Sequence, residues 1–184
     1  YLFMHFLKIF LLLFLISFFL FNCAKKEKTS LIVEEDVELQ MIRAFKEGYD
    51  EFKAGDALFA AKKFNEAELL FPQSKWAPKA ALMAAYVYYA QDYYFDAESE
   101  LERFIKTYPK NPDLNYAHFL LAMCYYEKIV DEKKDLGPLL KAQEKFLFII
   151  KNYPNSDYAL DARYKLDLIK DCLLYTSDAA DDDH

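Results

Sequence analysis

Glycine occurs only three times in this chain, scattered at positions 48, 55 and 137, and that scarcity excludes a glycine-rich phosphate-binding loop. Histidine is equally rare. With His5 near the start and His184 at the end, only His118 lies in the body, so neither a His-containing triad nor a multi-His metal site can be assembled. The three cysteines, Cys23, Cys124 and Cys172, sit in unrelated settings and supply no intramolecular disulfide framework. Cys124 lies within Leu120-Leu121-Ala122-Met123-Cys124-Tyr125, far from a base, and is expected to be a buried, inert thiol. Excess positive charge is missing too. The formal charge is −7, of which Asp178, Asp181, Asp182 and Asp183 contribute four, and a mildly acidic body gives no electrostatic reason to expect nucleic acid. Acidic runs such as Glu34-Glu35-Asp36 and Asp131-Glu132 fit solvated charge. These absences argue against an enzyme. What is abundant is Ala, Leu, Lys, Glu and aromatic residues recurring at spacings of three and four, while β-branched residues are few, so the expectation is an all-α fold.

The two ends are set apart from that body. After Met4 comes a short basic stretch, His5 to Lys8, and then an apolar run from Ile9 to Phe21 broken only by Ser17. A spanning helix needs about 20 apolar residues, and this run is shorter, as in the core of a signal peptide. It ends at Cys23, with Ala24 and the polar stretch Lys25 to Ser30 beyond. A cysteine in that place resembles the lipobox of bacterial lipoproteins, with Leu20 at the favoured position and Phe21 and Asn22 where small residues are usual. The resemblance implies a signal peptide over 1–22, a lipidated Cys23 carrying diacylglycerol and an N-acyl chain, and a tether over 23–34. No other cofactor is expected. At the far end, Cys172 to Asp182 resembles the translation of a transposase sequencing adapter read in frame, so residues 172–184 are expected to be an adapter artefact.

Between these ends the helical pattern repeats. Ala60, Phe64, Ala67 and Pro72 recur as Ala97, Leu101, Phe104 and Pro109, and again as Ala142, Phe146, Ile149 and Pro154. Intervals of four, three and five residues among small, large, apolar and proline positions are those of the second helix of a tetratricopeptide repeat. The alanine lets paired helices approach, the larger residues fill the groove between repeats, and proline stops the helix. The junctions repeat as well: Phe71-Pro72-Gln73-Ser74, Tyr108-Pro109-Lys110-Asn111 and Tyr153-Pro154-Asn155-Ser156 each end in a residue suited to cap the next helix. Trp76-Ala77, Tyr116-Ala117 and Tyr158-Ala159 follow them. The spacing predicts helices over 36–54, 56–70, 75–90, 94–107, 113–129, 139–152 and 157–171. These form a superhelical array of three hairpins plus the first helix of a fourth, a tetratricopeptide domain over 35–171. Successive units are 37 and then 45 residues apart, and the extra residues fall in a charged loop, Val130 to Pro138. Glu47 and Glu51 stand where large apolar residues are usual, so the first hairpin is expected to pack irregularly or to face a capping segment, Leu31 to Leu39.

The order of these motifs resembles one family. The lipobox cysteine, Gly55-Asp56, Tyr86-Val87-Tyr88-Tyr89, Arg103-Phe104-Ile105 before Tyr108-Pro109, the inserted loop, and Tyr153 to Ala159 before Asp161-Ala162 are similar to the BamD lipoproteins. What the resemblance implies is a non-catalytic subunit of the β-barrel assembly machinery. It would be held by lipid at the periplasmic face of the outer membrane, contacting BamA, other subunits and unfolded outer-membrane β-barrel proteins. A different periplasmic repeat adaptor of the cell envelope or division machinery would need the same fold, and an enzyme using the array as a scaffold for a further domain is a third possibility.

In such arrays the first helix of each hairpin lines a concave groove. The register selects Phe45, Tyr49 and Phe52, then Leu82, Tyr86 and Tyr89, then Phe119, Met123 and Tyr126 as candidate peptide-binding positions. Aromatic residues and methionine dominate this set, as suits an extended apolar peptide. The same positions are also those where a curved array buries part of every first helix, so core packing is the alternative.

Overall fold

The structure, a computed structural model, describes His5, residues 36–129 and residues 135–181, with side chains of the last helix to Leu174. The chain divides into two compact units, Tyr1–Glu34 and Glu35–His184, and apart from His5 the described residues belong to the second. The expected signal peptide, Cys23, its tether and most of the charged loop lie outside the described residues.

Seven helices and no strand occur among the described residues: α1 Val37–Ala54, α2 Ala57–Leu70, α3 Ala77–Ala90, α4 Tyr94–Thr107, α5 Leu114–Glu127, α6 Gly137–Asn152 and α7 Asp157–Asp181. Short polar signals set their ends. The Asp36 and Asp56 carboxylates accept from the backbone N–H of Glu38 (3.1 Å) and Phe59 (2.9 Å), capping α1 and α2. Between them Gly55 takes φ 87°, a left-handed turn that lets Asp56 N–H reach back to the Glu51 carbonyl at 3.0 Å. Ser74 Oγ accepts from Ala77 N–H, and Ser156 Oγ from Ala159 N–H, at 3.1 and 3.2 Å, opening α3 and α7. Helices α2, α4 and α6 stop at Phe71, Tyr108 and Tyr153, each in a non-helical conformation before a proline whose ring disfavours the helical backbone there.

Each helix packs on its chain neighbours, and the first helices of successive hairpins also meet, α3 on α5 and α5 on α7. Ala60, Ala97 and Ala142 are fully buried, as are Phe64, Phe104 and Phe146. In the first hairpin the crossing is tighter still: a Cβ on Gly48 would lie 3.1 Å from both the Ala60 carbonyl oxygen and the Phe64 ring. That hairpin is not irregular. Glu47, the expected misfit, is absorbed by Lys63, whose Nζ lies 2.8 Å from Glu47 and 3.0 Å from Glu66. No helix among the described residues is long and apolar enough to cross a membrane.

Candidate functional site

A pocket of 410 Å³ opens on the first helices. Its apolar wall is Phe45 of α1, Leu82, Met83 and Tyr86 of α3, and Tyr116 of α5, with Lys79 and Asp113 on its margin. Three hairpins therefore contribute to one site. Lys79 Nζ lies 4.9 Å from the Trp76 ring centre, which leaves a cation held flat beside the pocket. An adjoining recess of 300 Å³ shares Phe45 and is lined further by Met41, Ile42, Lys46 and Trp76. Two opposite charges on a predominantly apolar surface suit an extended peptide with large side chains, which would be gripped by ring contact without strong dependence on net charge.

Of the nine positions chosen from the repeat register, Phe45, Leu82 and Tyr86 line this pocket. Phe52 supports it from behind, its ring 5.8 Å from that of Tyr86 and edge-on. Tyr49 is exposed, with Lys53 Nζ 4.4 Å above its ring. The remaining four are elsewhere. Tyr89 packs against Tyr94 at 5.8 Å, Phe119 stacks on Tyr158 at 5.2 Å, and Tyr126 meets Phe146 at 6.3 Å and carries Lys165 over its ring. Met123 belongs to the core, because α5 from Leu120 to Tyr125 is buried on every side and has no free apolar face. Met83, Lys79, Asp113 and Tyr116 were missed. Only Tyr116 had carried a signal, as the aromatic of an aromatic-alanine junction motif.

Burial also governs ionisation on and beneath this face. Burial pushes the Tyr116 hydroxyl well above its ordinary range and raises Tyr89 to about 12, so both stay neutral at physiological pH. The Cys124 thiol, fully buried, is pushed up to about 12 by the same cause. A third recess, of 370 Å³, lies between Phe95, Tyr125 and Pro138 with Lys128 and Lys141 at its edge. There Lys128 pairs with Glu98, which also accepts from the Tyr125 hydroxyl. Burial raises the Glu98 carboxyl, but Lys128 and Tyr125 together outweigh it and hold the group below its usual range.

The chain matches the family model YfiO, described as an outer membrane lipoprotein, over residues 37–177. It belongs to that family. Among curated proteins it is 35% identical over 152 residues to the outer membrane protein assembly factor BamD of Caulobacter vibrioides, covering 83% of this chain and 49% of the relative. It is 34% identical over 114 residues to BamD of Rickettsia prowazekii, covering 62% and 45%, and 27% identical over 141 residues to BamD of Neisseria gonorrhoeae, covering 71% and 53%. The chain thus spans about half the length of the curated relatives it matches. Among solved structures it is similar to the Arabidopsis OM64 TPR domain, with a TM-score of 0.52 and 13% identity over 71% of this chain and 96% of that one. That likeness bears on the fold, an all-α tetratricopeptide array, which is the family member's scaffold here.

Proposed function

We propose that this family member is a non-catalytic scaffold of outer-membrane protein assembly, which grips extended segments of unfolded β-barrel proteins in the pocket formed by α1, α3 and α5. Kinship to the BamD assembly factors supports the process, and the aromatic pocket supports the mode. Acyl chains on Cys23 would hold it at the periplasmic face of the outer membrane, with BamA and the other subunits as neighbours, and no cofactor would be needed. Strands of barrel proteins alternate apolar and polar side chains, so an unfolded strand presents rings on one side at a regular spacing. A few ring contacts at about 0.5 to 1.5 kcal/mol each, offset by the ordering of the peptide, give the modest affinity that release requires.

The test is binding of a synthetic peptide of alternating aromatic and polar residues to the full chain, comparing the parent with Tyr86→Ala plus Tyr116→Ala at two salt concentrations. Lost binding with an intact helical spectrum and little salt dependence supports the pocket. Equal binding by both proteins, or binding abolished by moderate salt, moves the site to the lysine-edged recess at Phe95 and Pro138.

A further inference from the structure

Glu68 is the one polar or charged residue in the buried core among the described residues, and it does not line the pocket. Its carboxylate lies on α2, with its side chain 7% exposed, and every bond that satisfies it comes from the next hairpin. Arg103 of α4 forks onto it, Nη1 donating to Oε1 at 2.9 Å and Nη2 to Oε2 at 2.7 Å, while the Tyr108 hydroxyl donates to Oε1 at 2.6 Å. The guanidinium is fixed in turn: Nε donates to Glu100 at 2.9 Å and Nη2 to Asn65 at 3.2 Å, and Asn65 donates to Glu100 at 3.1 Å. A planar fork on a carboxylate is directional, and each added bond removes a degree of freedom from the angle between the two hairpins. Tyr108 is also where α4 ends, five residues before Asp113 on the pocket margin, and the connecting turn is tied by Asp113 N–H to Asn111 Oδ1 at 2.8 Å. The pocket draws its walls from both clamped hairpins and from the helix that this turn leads into.

We propose that Glu68, Arg103 and Tyr108 form a positioning clamp that sets the rotation of the second hairpin on the first and, through it, the width of the pocket on the first helices; the consequence for peptide rests on the peptide-binding reading above. The residues act at a distance, through the hairpins they join. Register provides a way to separate positioning from plain stability. The positions equivalent to Glu68 and Arg103 one repeat later are Ile105 and Phe148, so Glu68→Ile with Arg103→Phe installs the apolar residues that the next repeat carries at these positions, without the directional fork.

The experiment measures three things on the full chain: melting temperature, affinity for the alternating aromatic peptide, and acrylamide quenching of Trp76. Trp76 is the only tryptophan, lies at the junction of the two hairpins and has its ring 5.7 Å from Phe45 in the pocket wall. The double variant should keep the parent's melting temperature, lose affinity by about fivefold or more and raise the quenching of Trp76, whose ring is part-exposed in the parent. Tyr108→Phe, which keeps the ring on Phe104 at 5.4 Å and removes only the hydroxyl, should shift affinity and quenching in the same direction by less. Parental affinity and quenching in both variants would overturn the clamp. A parent that binds no peptide would defeat the peptide reading alone, and Trp76 quenching would still decide the clamp: increased in the double variant it stands, unchanged it falls.

Discussion

At the junction of the first and second hairpins, a fork of charged hydrogen bonds joins Arg103 to the buried Glu68. One repeat later the same register positions carry Phe148 and Ile105, and Phe148 meets rings of its own hairpin: His118 of α5 lies 4.6 Å from Phe148 and 5.9 Å from Tyr153. Tyrosine stands at the end of the second helix in both hairpins, but Tyr108 donates its hydroxyl to Glu68 whereas Tyr153 packs its ring against His118 and Phe148. The repeat register therefore leaves the chemistry at these positions open. An apolar contact stabilises through area and tolerates small rotations, while a carboxylate–guanidinium fork adds little net stability over a well-packed apolar pair but constrains the angle.

The largest way to break that comparison is Arg103→Met, which strands the Glu68 carboxylate in the core. Because the Arg103 side chain is 39% exposed, solvent screening reduces the cost below that of a fully buried pair, and a loss of roughly 2 to 3 kcal/mol is expected in denaturant unfolding. The Glu68→Ile, Arg103→Phe double variant should unfold within about 1 kcal/mol of the parent, since an apolar pair avoids the desolvation of both ions. Next come the helix crossings common to all hairpins. Ala60→Leu, Ala97→Leu and Ala142→Leu should each cost about 1 to 3 kcal/mol by overpacking, to a similar degree on either side of the polar junction, and a melting temperature unchanged in all three would refute the shared register.

Inside the third hairpin, Phe148→Ala removes a ring that is already 40% exposed and should cost about 1 kcal/mol, less than Arg103→Met, because no buried charge is left behind. The smallest effect is one of pH. Burial, and then the neighbouring Lys145, hold His118 below its ordinary value, so the unfolded chain takes up this proton before the native one does. Stability from this site is complete above the ordinary histidine range and declines as pH falls from there to the lowered native value. His118→Phe should flatten that part of the stability curve. At more acidic pH, below the usual carboxylate range, Glu98 adds a further loss as its proton is taken up.

The helices and their crossings were legible because local periodicity and proline fix them: Ala60, Ala97 and Ala142 are buried where the repeated intervals put them. Ser74 and Ser156 cap the helices they precede. The pocket was legible only in part. Phe45, Leu82 and Tyr86 follow from register, but α5 is apolar all round, and a helix without a polar face gives no sign of which side meets solvent, which is why Met123 was placed in the groove. Tyr116 escaped because its motif marks a helix start, and Lys79 because a surface lysine has no local signature of a pocket margin.

The sequence by itself determined that this chain is a helical repeat, where most helices start and stop, and which small residues sit at the crossings, since these depend on interactions within a few residues or on one repeating interval. By contrast, α7 runs on to Asp181 past the expected end at 171, and α6 begins at Gly137 within the expected loop. Only the tertiary structure decided that Glu68 is a buried acid and that Arg103 and Tyr108 satisfy it. Those partners lie 35 and 40 residues away, and a glutamate on a helix reads as solvated until the packing of the next hairpin removes water from it.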